Sequence, residues 1–143
     1  MFLGTYIHSI DERNRVSVPK KFRQDLGSMV VVTKGLDGCL FMYTVSTWER
    51  IAQKIDETPM TRSDGRSYAR HLLGGAMDVE LDKLGRLVLP QYLKDFAKIQ
   101  NEIAIVGVGE RVELWDKTHW ESYSSELEKK SDEIAERLSD SGL

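Results

Sequence analysis

The segment IDERNRVSVP (10–19) returns later in the chain as LDKLGRLVLP (81–90). Both copies keep an Asp, an Arg four residues after it and a closing Pro, and their apolar positions coincide. With a shift of one residue the correspondence continues through Gly35/Gly107, Leu40/Val112, Met42/Leu114, Tyr43/Trp115, Trp48/Trp120 and Glu49/Glu121. Because so many chemically constrained positions match, the pattern indicates an internal duplication.

Each copy opens with a pattern typical of two strands joined by a tight turn. The strands are predicted at about 5–10 and 15–18, and again at about 77–81 and 86–89. The turn reads Asp-x-x-Asn in one copy and Asp-x-x-Gly in the other, so Asn14 aligns with Gly85. These residue types tolerate a positive φ, and the side chains of Asp11 and Asp82 can accept backbone N–H groups to close each turn.

A short helix and a second hairpin follow in both copies. Pro19 and Pro90 suit the first turn of a helix, and Gly27 is a plausible end for the first one. The second hairpins pair 29–33 with 39–43 around the turn 35–38, and 103–106 with 112–115 around the turn 107–110.

The remaining segments are predicted to be helical. Capping boxes at 46–49 and 118–121 mark two helix starts, and a helix capped at Thr61 runs to about residue 73 before Gly74-Gly75. One stripe of the last helix carries Trp120, Tyr123, Leu127, Ile134 and Leu138. We expect this stripe to pack within or between subunits.

These elements predict a β-rich α+β fold with short helices and a C-terminal helix. The expected division is a first unit at 5–47, connecting helices at 48–75, a second unit at 76–119 and an acidic amphipathic tail at 120–143. A unit of roughly 50 residues has too little core to be comfortably stable alone. We therefore expect the two copies to share one core around a pseudo-two-fold axis.

The charge is distributed unevenly along the 143 residues. The net charge is −3, but residues 121–143 hold seven acids and three bases, which leaves 17 bases and 16 acids in the rest. A near-neutral body with basic clusters permits binding to nucleic acid without requiring it. No apolar run approaches a membrane span, the first residues do not resemble a signal peptide, and one cysteine excludes an internal disulfide. We expect a cytoplasmic protein.

The paired Asp-x-x-x-Arg motifs, each followed by hydrophobic-x-hydrophobic-Pro, resemble those of the MraZ family. The segment RHLLGGA (70–76), the opening MFLG (1–4) and the hairpin–Trp–Glu elements are also similar, so the resemblance covers nearly the whole chain. It implies two SpoVT-AbrB-type units, that is, a duplicated swapped-hairpin (AbrB-like) β-barrel fold. One departure is Leu84, which stands where the first copy has Arg13 and leaves the second turn with fewer charges.

The resemblance also implies a function. Members of the family are nucleoid-associated transcription regulators that act on the promoter of a division and cell-wall gene cluster, with repression the favoured direction. A ring-shaped homo-oligomer would place the Arg-bearing turns on one face, against repeated boxes in double-stranded DNA. The rival hypothesis is an oligomeric interaction module whose basic turns bind acidic protein surfaces.

The candidate DNA-binding residues follow from the turns and the basic clusters beside them. They are Arg15, Arg86, Arg13, Lys83, Lys20, Lys21 and Arg23, with Asp11, Asn14, Asp82 and Gly85 shaping the turns. Alternatively, each turn Arg pairs only with its own Asp, and the helix lysines form a solvated face. A further row, Arg62, Arg66 and Arg70, is either solvated or an oligomer contact.

The sequence offers no anchor residue for an enzyme. His8, His71 and His119 are scattered without ligand spacing, and Cys39 suits a core position. No nucleophile elbow, metalloprotease helix motif or phosphate loop is complete. We therefore expect neither a catalytic site, a metal site nor a cofactor.

Overall fold

Pairs of strands are each followed by one or two helices. A computed structural model describes residues 1–142. The strands are Phe2–Ser9 (β1), Arg15–Ser17 (β2), Met29–Lys34 (β3), Leu40–Thr44 (β4), Met77–Glu80 (β5), Arg86–Val88 (β6), Glu102–Gly109 (β7) and Arg111–Asp116 (β8). The helices are Lys20–Leu26 (α1), Val45–Asp56 (α2), Ser63–Leu72 (α3), Gln91–Phe96 (α4) and Lys117–Arg137 (α5), followed by a 3-10 turn at Ser139–Ser141. The α+β class predicted from the sequence is confirmed.

The strands form a six-stranded sheet and a separate two-stranded ribbon. The sheet order is β1-β7-β8-β4-β3-β5, its strand pairs are antiparallel, and the ribbon pairs β2 with β6. Exchanging β1 with β5, β3 with β7 and β4 with β8 reproduces the sheet order from its other end. The first strand of each copy therefore pairs with the third strand of the other copy.

Two pairing registers place corresponding residues of the two copies opposite each other. Phe41 lies opposite Glu113 where β4 meets β8, and Val16 lies opposite Leu87 in the ribbon. Corresponding residues meet in this way at a local two-fold axis, so both contacts lie near one pseudo-symmetry axis. The ribbon is consequently built from one strand of each copy.

Both faces of the four central strands, β7, β8, β4 and β3, are covered, whereas the outer strands β1 and β5 are mostly exposed. On one face the alternate residues Val30, Val32, Leu40 and Met42 join a core with the ribbon strands and with α1 and α4. On the other face Phe41, Tyr43 and Trp115 pack against residues of α2 and α5. Because a strand points successive side chains to opposite faces, a sheet covered twice has near-continuous apolar strands, as the sequence of β3 and β4 shows.

Several predicted boundaries were wrong, and the helix caps are the clearest case. Helices α2 and α5 begin earlier than the capping boxes at 46–49 and 118–121. Their N-caps are Thr44 and Asp116, which accept the N–H groups of Thr47 and His119 at 3.1 and 3.2 Å. Since Thr44 and Asp116 are the last residues of β4 and β8, each helix starts as soon as its strand ends.

Other boundaries shifted for equally local reasons. The predicted turn at 107–110 is shorter, because β7 pairs with β1 along its whole length as far as Gly109. Helix α3 begins after Arg62, and Thr61 does not cap it. Pro19 and Pro90 precede α1 and α4 as their N-caps, whereas Gly27 ends α1 with a φ of 78°, as predicted.

The close approach of β1 to β7 gives a stability prediction at Gly107. A Cβ there would lie 2.5 Å from backbone atoms of Phe2 and Leu3, so even Ala must push the two strands apart. We expect Gly107→Ala to lower the free energy of unfolding by about 1–3 kcal/mol, the usual cost of overpacking. Val108→Ala, on the same strand but more than a third exposed, is the control. Equal chemical-denaturation midpoints for both variants would contradict the prediction.

Candidate nucleic-acid interface

The first turn is closed by the carboxylate of Asp11. Its Oδ1 accepts the backbone N–H groups of Arg13 and Arg15, each at 2.9 Å, and its Oδ2 accepts Nε of Arg15 at 2.6 Å. The N–H of Asn14 donates to the carbonyl of Asp11 at 3.0 Å, and Asn14 has a φ of 60°. One carboxylate therefore fixes both the backbone of the turn and the direction of an arginine.

The second turn repeats this geometry. Oδ1 of Asp82 accepts the N–H groups of Leu84 and Arg86 at 2.9 and 2.8 Å, and Oδ2 accepts Nε of Arg86 at 2.8 Å. Gly85 takes the position of Asn14 with a φ of 75°. The positive φ predicted at both positions is confirmed.

The turns keep both carboxylates ionised. The backbone N–H of Arg15 lowers the pKa of Asp11 below its usual range, as that of Arg86 does for Asp82, and the guanidinium groups add to the shift. A lowered pKa means that the stability contributed by each carboxylate is fully present above the ordinary Asp pKa and is lost as the pH falls through the lowered value. At neutral pH the contribution of both carboxylates to the turns is therefore fully present.

Each turn arginine is held by one edge only. Within residues 1–142, the side-chain hydrogen bonds of Arg15 and Arg86 involve Nε alone, and both side chains are 31% exposed. The two terminal nitrogens of each guanidinium are the pair that matches O6 and N7 of guanine or two phosphate oxygens. The Asp–Arg pair thus fixes the direction of the arginine and leaves its two terminal nitrogens without a side-chain hydrogen bond among the described residues.

The ribbon brings the two arginines together. Val16 and Leu87 point into the core and are almost fully buried, so their neighbours point outward. The outward residues are Arg15, Ser17, Arg86 and Val88. Arg15 lies opposite Val88, two residues from Arg86, and such diagonal neighbours are about 7–8 Å apart. One exposed ribbon face therefore carries an arginine from each copy.

Each turn is also held by the opposite copy. The N–H of Leu89 donates to the carbonyl of Asn14, and the N–H of Val18 donates to that of Gly85. The carboxamide of Asn14 also contacts Gln91 and Lys94 on α4, at 3.0 and 3.2 Å. These contacts fix the position of the first turn relative to the ribbon.

Arg23 of α1 lies against the second turn. Its Nε donates to the carbonyl of Val18 at 2.8 Å, and its guanidinium occupies the space where a Cβ of Gly85 would be. Arg23 and Lys83 line the same surface cleft, whereas Arg13, Lys20 and Lys21 are exposed. The structure therefore brings Arg23 and Lys83 together beside the second turn, with Arg23 partly engaged inside the protein.

The remaining candidates of the sequence have ordinary surroundings. His8 and His71 bond backbone carbonyls, of Ser17 and Gly35 respectively, and His119 packs edge-on against Trp115. Cys39 is fully buried, and burial raises the pKa of its thiol. Across residues 1–142 the acidic, His and Cys side chains form no cluster able to hold a metal ion, and none of the helices described has the length and apolarity to cross a membrane.

Comparisons with known proteins show which family the chain belongs to. The family model described as "MraZ protein, putative antitoxin-like" matches the chain twice, over residues 1–71 and 72–141. The chain belongs to the MraZ family. A relative from Syntrophomonas wolfei, named "Transcriptional regulator MraZ", is 44% identical over 143 residues and the full length of both chains. Relatives of the same name from Caldanaerobacter subterraneus and Moorella thermoacetica are 44% and 41% identical, over 96% and 98% of both chains.

The sequence analysis missed two outward residues of this MraZ chain, Ser17 and Val88. Val88 is 55% exposed although it lies in an unbroken apolar run, Leu87-Val88-Leu89. The alternation is visible only in the first copy, where Val16-Ser17-Val18 has the polar residue in the middle. An alignment of the two copies places Val88 at the position of Ser17, and this correspondence could have predicted that Val88 faces solvent.

The positive φ at Asn14 gives a second stability prediction. Asn14→Gly loses the side-chain contacts to Gln91 and Lys94 but keeps an unstrained backbone, since Gly85 has a positive φ at the same position of the other copy, so it should be only slightly less stable than the wild type. Asn14→Val loses the same contacts and should be about 1–3 kcal/mol less stable than Asn14→Gly, because a β-branched residue is strained at positive φ. Thermal melts of the two variants measure the difference, and equal melting temperatures would show that the turn does not require this conformation.

Proposed function

We propose that the chain is a sequence-specific, DNA-binding transcription regulator without enzymatic activity. The relatives cited above are named as transcriptional regulators, over nearly their full lengths. The observation that carries the proposal is the pair of arginines held through Nε on one exposed ribbon face. A two-stranded ribbon fits the major groove of B-DNA, where a guanidinium can bind a guanine edge.

The roles of the individual residues follow from their positions. Arg15 and Arg86 read bases, while Arg13, Lys83, Lys20 and Lys21 bind phosphates and set the register. Asp11, Asn14, Asp82 and Gly85 hold the turns, and Arg23 supports the second turn while adding charge beside it. Leu84 leaves the second turn with less charge than the first, so the first turn contributes more affinity.

The proposed architecture explains how these residues meet. Residues 5–47 and 76–119 are swapped-hairpin, AbrB-like units that together close one barrel, joined by the helices of 48–75 and followed by the tail at 120–143. The exchange of first strands in the sheet order supports this division. Several copies then assemble into a ring that presents its ribbons to repeated promoter boxes of a division and cell-wall gene cluster in the nucleoid, where the protein represses transcription.

A competition experiment tests the proposal against the rival, an interaction module that binds acidic proteins. A labelled duplex with tandem promoter boxes is bound to the protein, then displaced by the same duplex or by a scrambled one of equal composition. A specific regulator prefers the repeated duplex by orders of magnitude, and its affinity falls as salt rises. Equal displacement by both duplexes would contradict the proposal and favour the rival.

A further inference from the structure

The outward face of the ribbon is not purely polar. It carries Arg15 and Val88 directly opposite each other at one end, and Ser17 opposite Arg86 at the other end. Val88 is 55% exposed, although burial of a valine side chain is favourable. An aliphatic side chain therefore lies in solvent beside the two arginines that contact bases in the proposed function.

The packing of the fold does not account for Val88. Its neighbours Leu87 and Leu89 are fully buried and attach this segment to the core, and strand alternation turns Val88 away from them. The equivalent residue of the first copy, Ser17, is polar and exposed. Because the same strand geometry forms there without an aliphatic side chain, Val88 is available for a contact outside the chain.

The two ends of the ribbon are alike in charge but differ in the residue beside the arginine. The pseudo-two-fold axis exchanges Arg15 with Arg86 and Ser17 with Val88. Each end therefore has one arginine, and the residue opposite it is apolar at one end and a hydroxyl at the other. Ends of different chemistry favour different base pairs.

The major groove of B-DNA offers one apolar group to such a side chain. Its base edges present hydrogen-bond donors and acceptors, and thymine adds the methyl group on C5, which aliphatic side chains contact. An apolar protein surface fits less well, because it would bury the terminal nitrogens of Arg15 without a hydrogen-bond partner. The neighbouring arginine therefore favours a thymine over an apolar protein.

The spacing on the ribbon suits neighbouring base pairs. Directly opposite residues of an antiparallel pair, such as Arg15 and Val88, have Cβ atoms about 4.5–5.5 Å apart. Base pairs follow one another at about 3.4 Å along B-DNA. The two side chains therefore reach base pairs that are about one or two steps apart.

We propose that Val88 is a specificity-determining residue that contacts the C5 methyl group of a thymine, about one or two base pairs from the guanine bound by Arg15. At the other end, the hydroxyl of Ser17 forms a hydrogen bond beside Arg86 and selects no methyl group. This inference rests on the DNA binding of the proposed function, and it adds the kind of base that one end of the ribbon selects.

Deoxyuridine tests the contact, because it differs from thymidine only in lacking the C5 methyl group. The duplex with tandem promoter boxes is compared, by fluorescence anisotropy, with the same duplex in which deoxyuridine replaces every thymidine. Wild-type affinity should fall roughly fourfold for each methyl group that Val88 no longer contacts. Val88→Ser should bind both duplexes nearly equally, and Ser17→Val should increase the ratio of the two affinities above the wild-type value.

A matched valine provides the control. Val108 is 39% exposed and lies on the face of the sheet opposite the ribbon, since it alternates with Val106 of the other core cluster. Val108→Ser should therefore keep the wild-type ratio of the two affinities. Deoxyuridine also alters the shape of the duplex, but that effect is the same for every variant. Circular dichroism checks that each variant folds.

Single replacements locate the contact within a box. The thymine whose replacement by deoxyuridine weakens binding should lie about one or two base pairs from a guanine whose replacement by 7-deazaguanine, which lacks N7, also weakens it. A sensitive thymine farther than this from every such guanine would contradict the proposed geometry.

Three other results would overturn the inference. It is wrong if the wild-type protein binds the thymidine and deoxyuridine duplexes equally, if Val88→Ser keeps the wild-type ratio, or if Val108→Ser loses it. A protein that prefers the repeated boxes to scrambled DNA but does not respond to the methyl groups contradicts this inference alone. A protein without that preference contradicts the proposed function.

Discussion

Replacing Arg15 with alanine is expected to abolish sequence-specific DNA binding while the protein stays folded and assembled. A bidentate arginine–guanine contact is worth about 1–3 kcal/mol, or roughly 5–150-fold in affinity, at each engaged turn. In the proposed oligomer the substitution acts in every copy, so the losses multiply across the turns that touch one duplex. This is the largest effect that we expect from a single substitution.

The fold should survive because the side chain of Arg15 contributes little to it. Val16 and Leu87 hold the ribbon to the core, and Asp11 still accepts the N–H groups of residues 13 and 15 after the change. Circular dichroism and mass measurements check the fold and the assembly, and gel-shift titration measures binding. A well-folded Arg15→Ala protein that shifts DNA at wild-type strength would contradict the assigned role.

Two further variants separate the kinds of contact. Arg15→Lys keeps the charge but loses the planar fork, so it should retain nonspecific binding and lose the preference for promoter boxes. Arg50→Ala removes an exposed arginine from α2, on the opposite side of the sheet from the ribbon, and should bind normally. Wild-type specificity in Arg15→Lys would mean that residue 15 contacts phosphate alone.

Much of this site was predictable because its parts are local. A turn closed by an Asp and a residue at positive φ is encoded within five positions, and the sequence contains it twice. Because the chain is duplicated, its sequence alone shows that Asn14 corresponds to Gly85 and Arg15 to Arg86. Residue type and spacing are enough wherever the contacts join neighbours in the chain.

The contacts between the copies were not predictable in the same way. Periodicity identifies β1 as a strand, but nothing in it states that β1 pairs with β7 of the other copy. The hydrogen bonds of Gln91 and Lys94 with Asn14 join residues about half of the chain apart, and they form only because the two copies exchange strands. The predicted positions of the helix caps were wrong for a more local reason. Two residues able to cap each helix lie close together in the sequence, and the one nearer the strand, Thr44 or Asp116, is the N-cap.

Affinity should rise steeply with the number of tandem boxes in the DNA. Once one ribbon is bound, the next engagement within the oligomer is effectively intramolecular, and such linkage adds roughly 10²–10⁴-fold. We therefore expect that reducing a promoter from three boxes to one lowers the affinity far more than the loss of two-thirds of the contacts would by itself. Fluorescence anisotropy with duplexes of one, two and three boxes, held at equal length with scrambled sequence, measures this dependence.

The salt dependence of the affinity distinguishes simultaneous binding by several ribbons from binding by a single strong contact. Each neutralised phosphate adds about 0.9 to the slope of log affinity against log salt concentration, so a duplex that engages more ribbons must show a steeper slope. The proposed ring cannot lay all its ribbons on one straight duplex without bending it, so the slope should stop increasing once the reachable ribbons are occupied. If the wild-type slope stays flat as boxes are added, the multivalent mechanism is wrong even though DNA binding itself would stand.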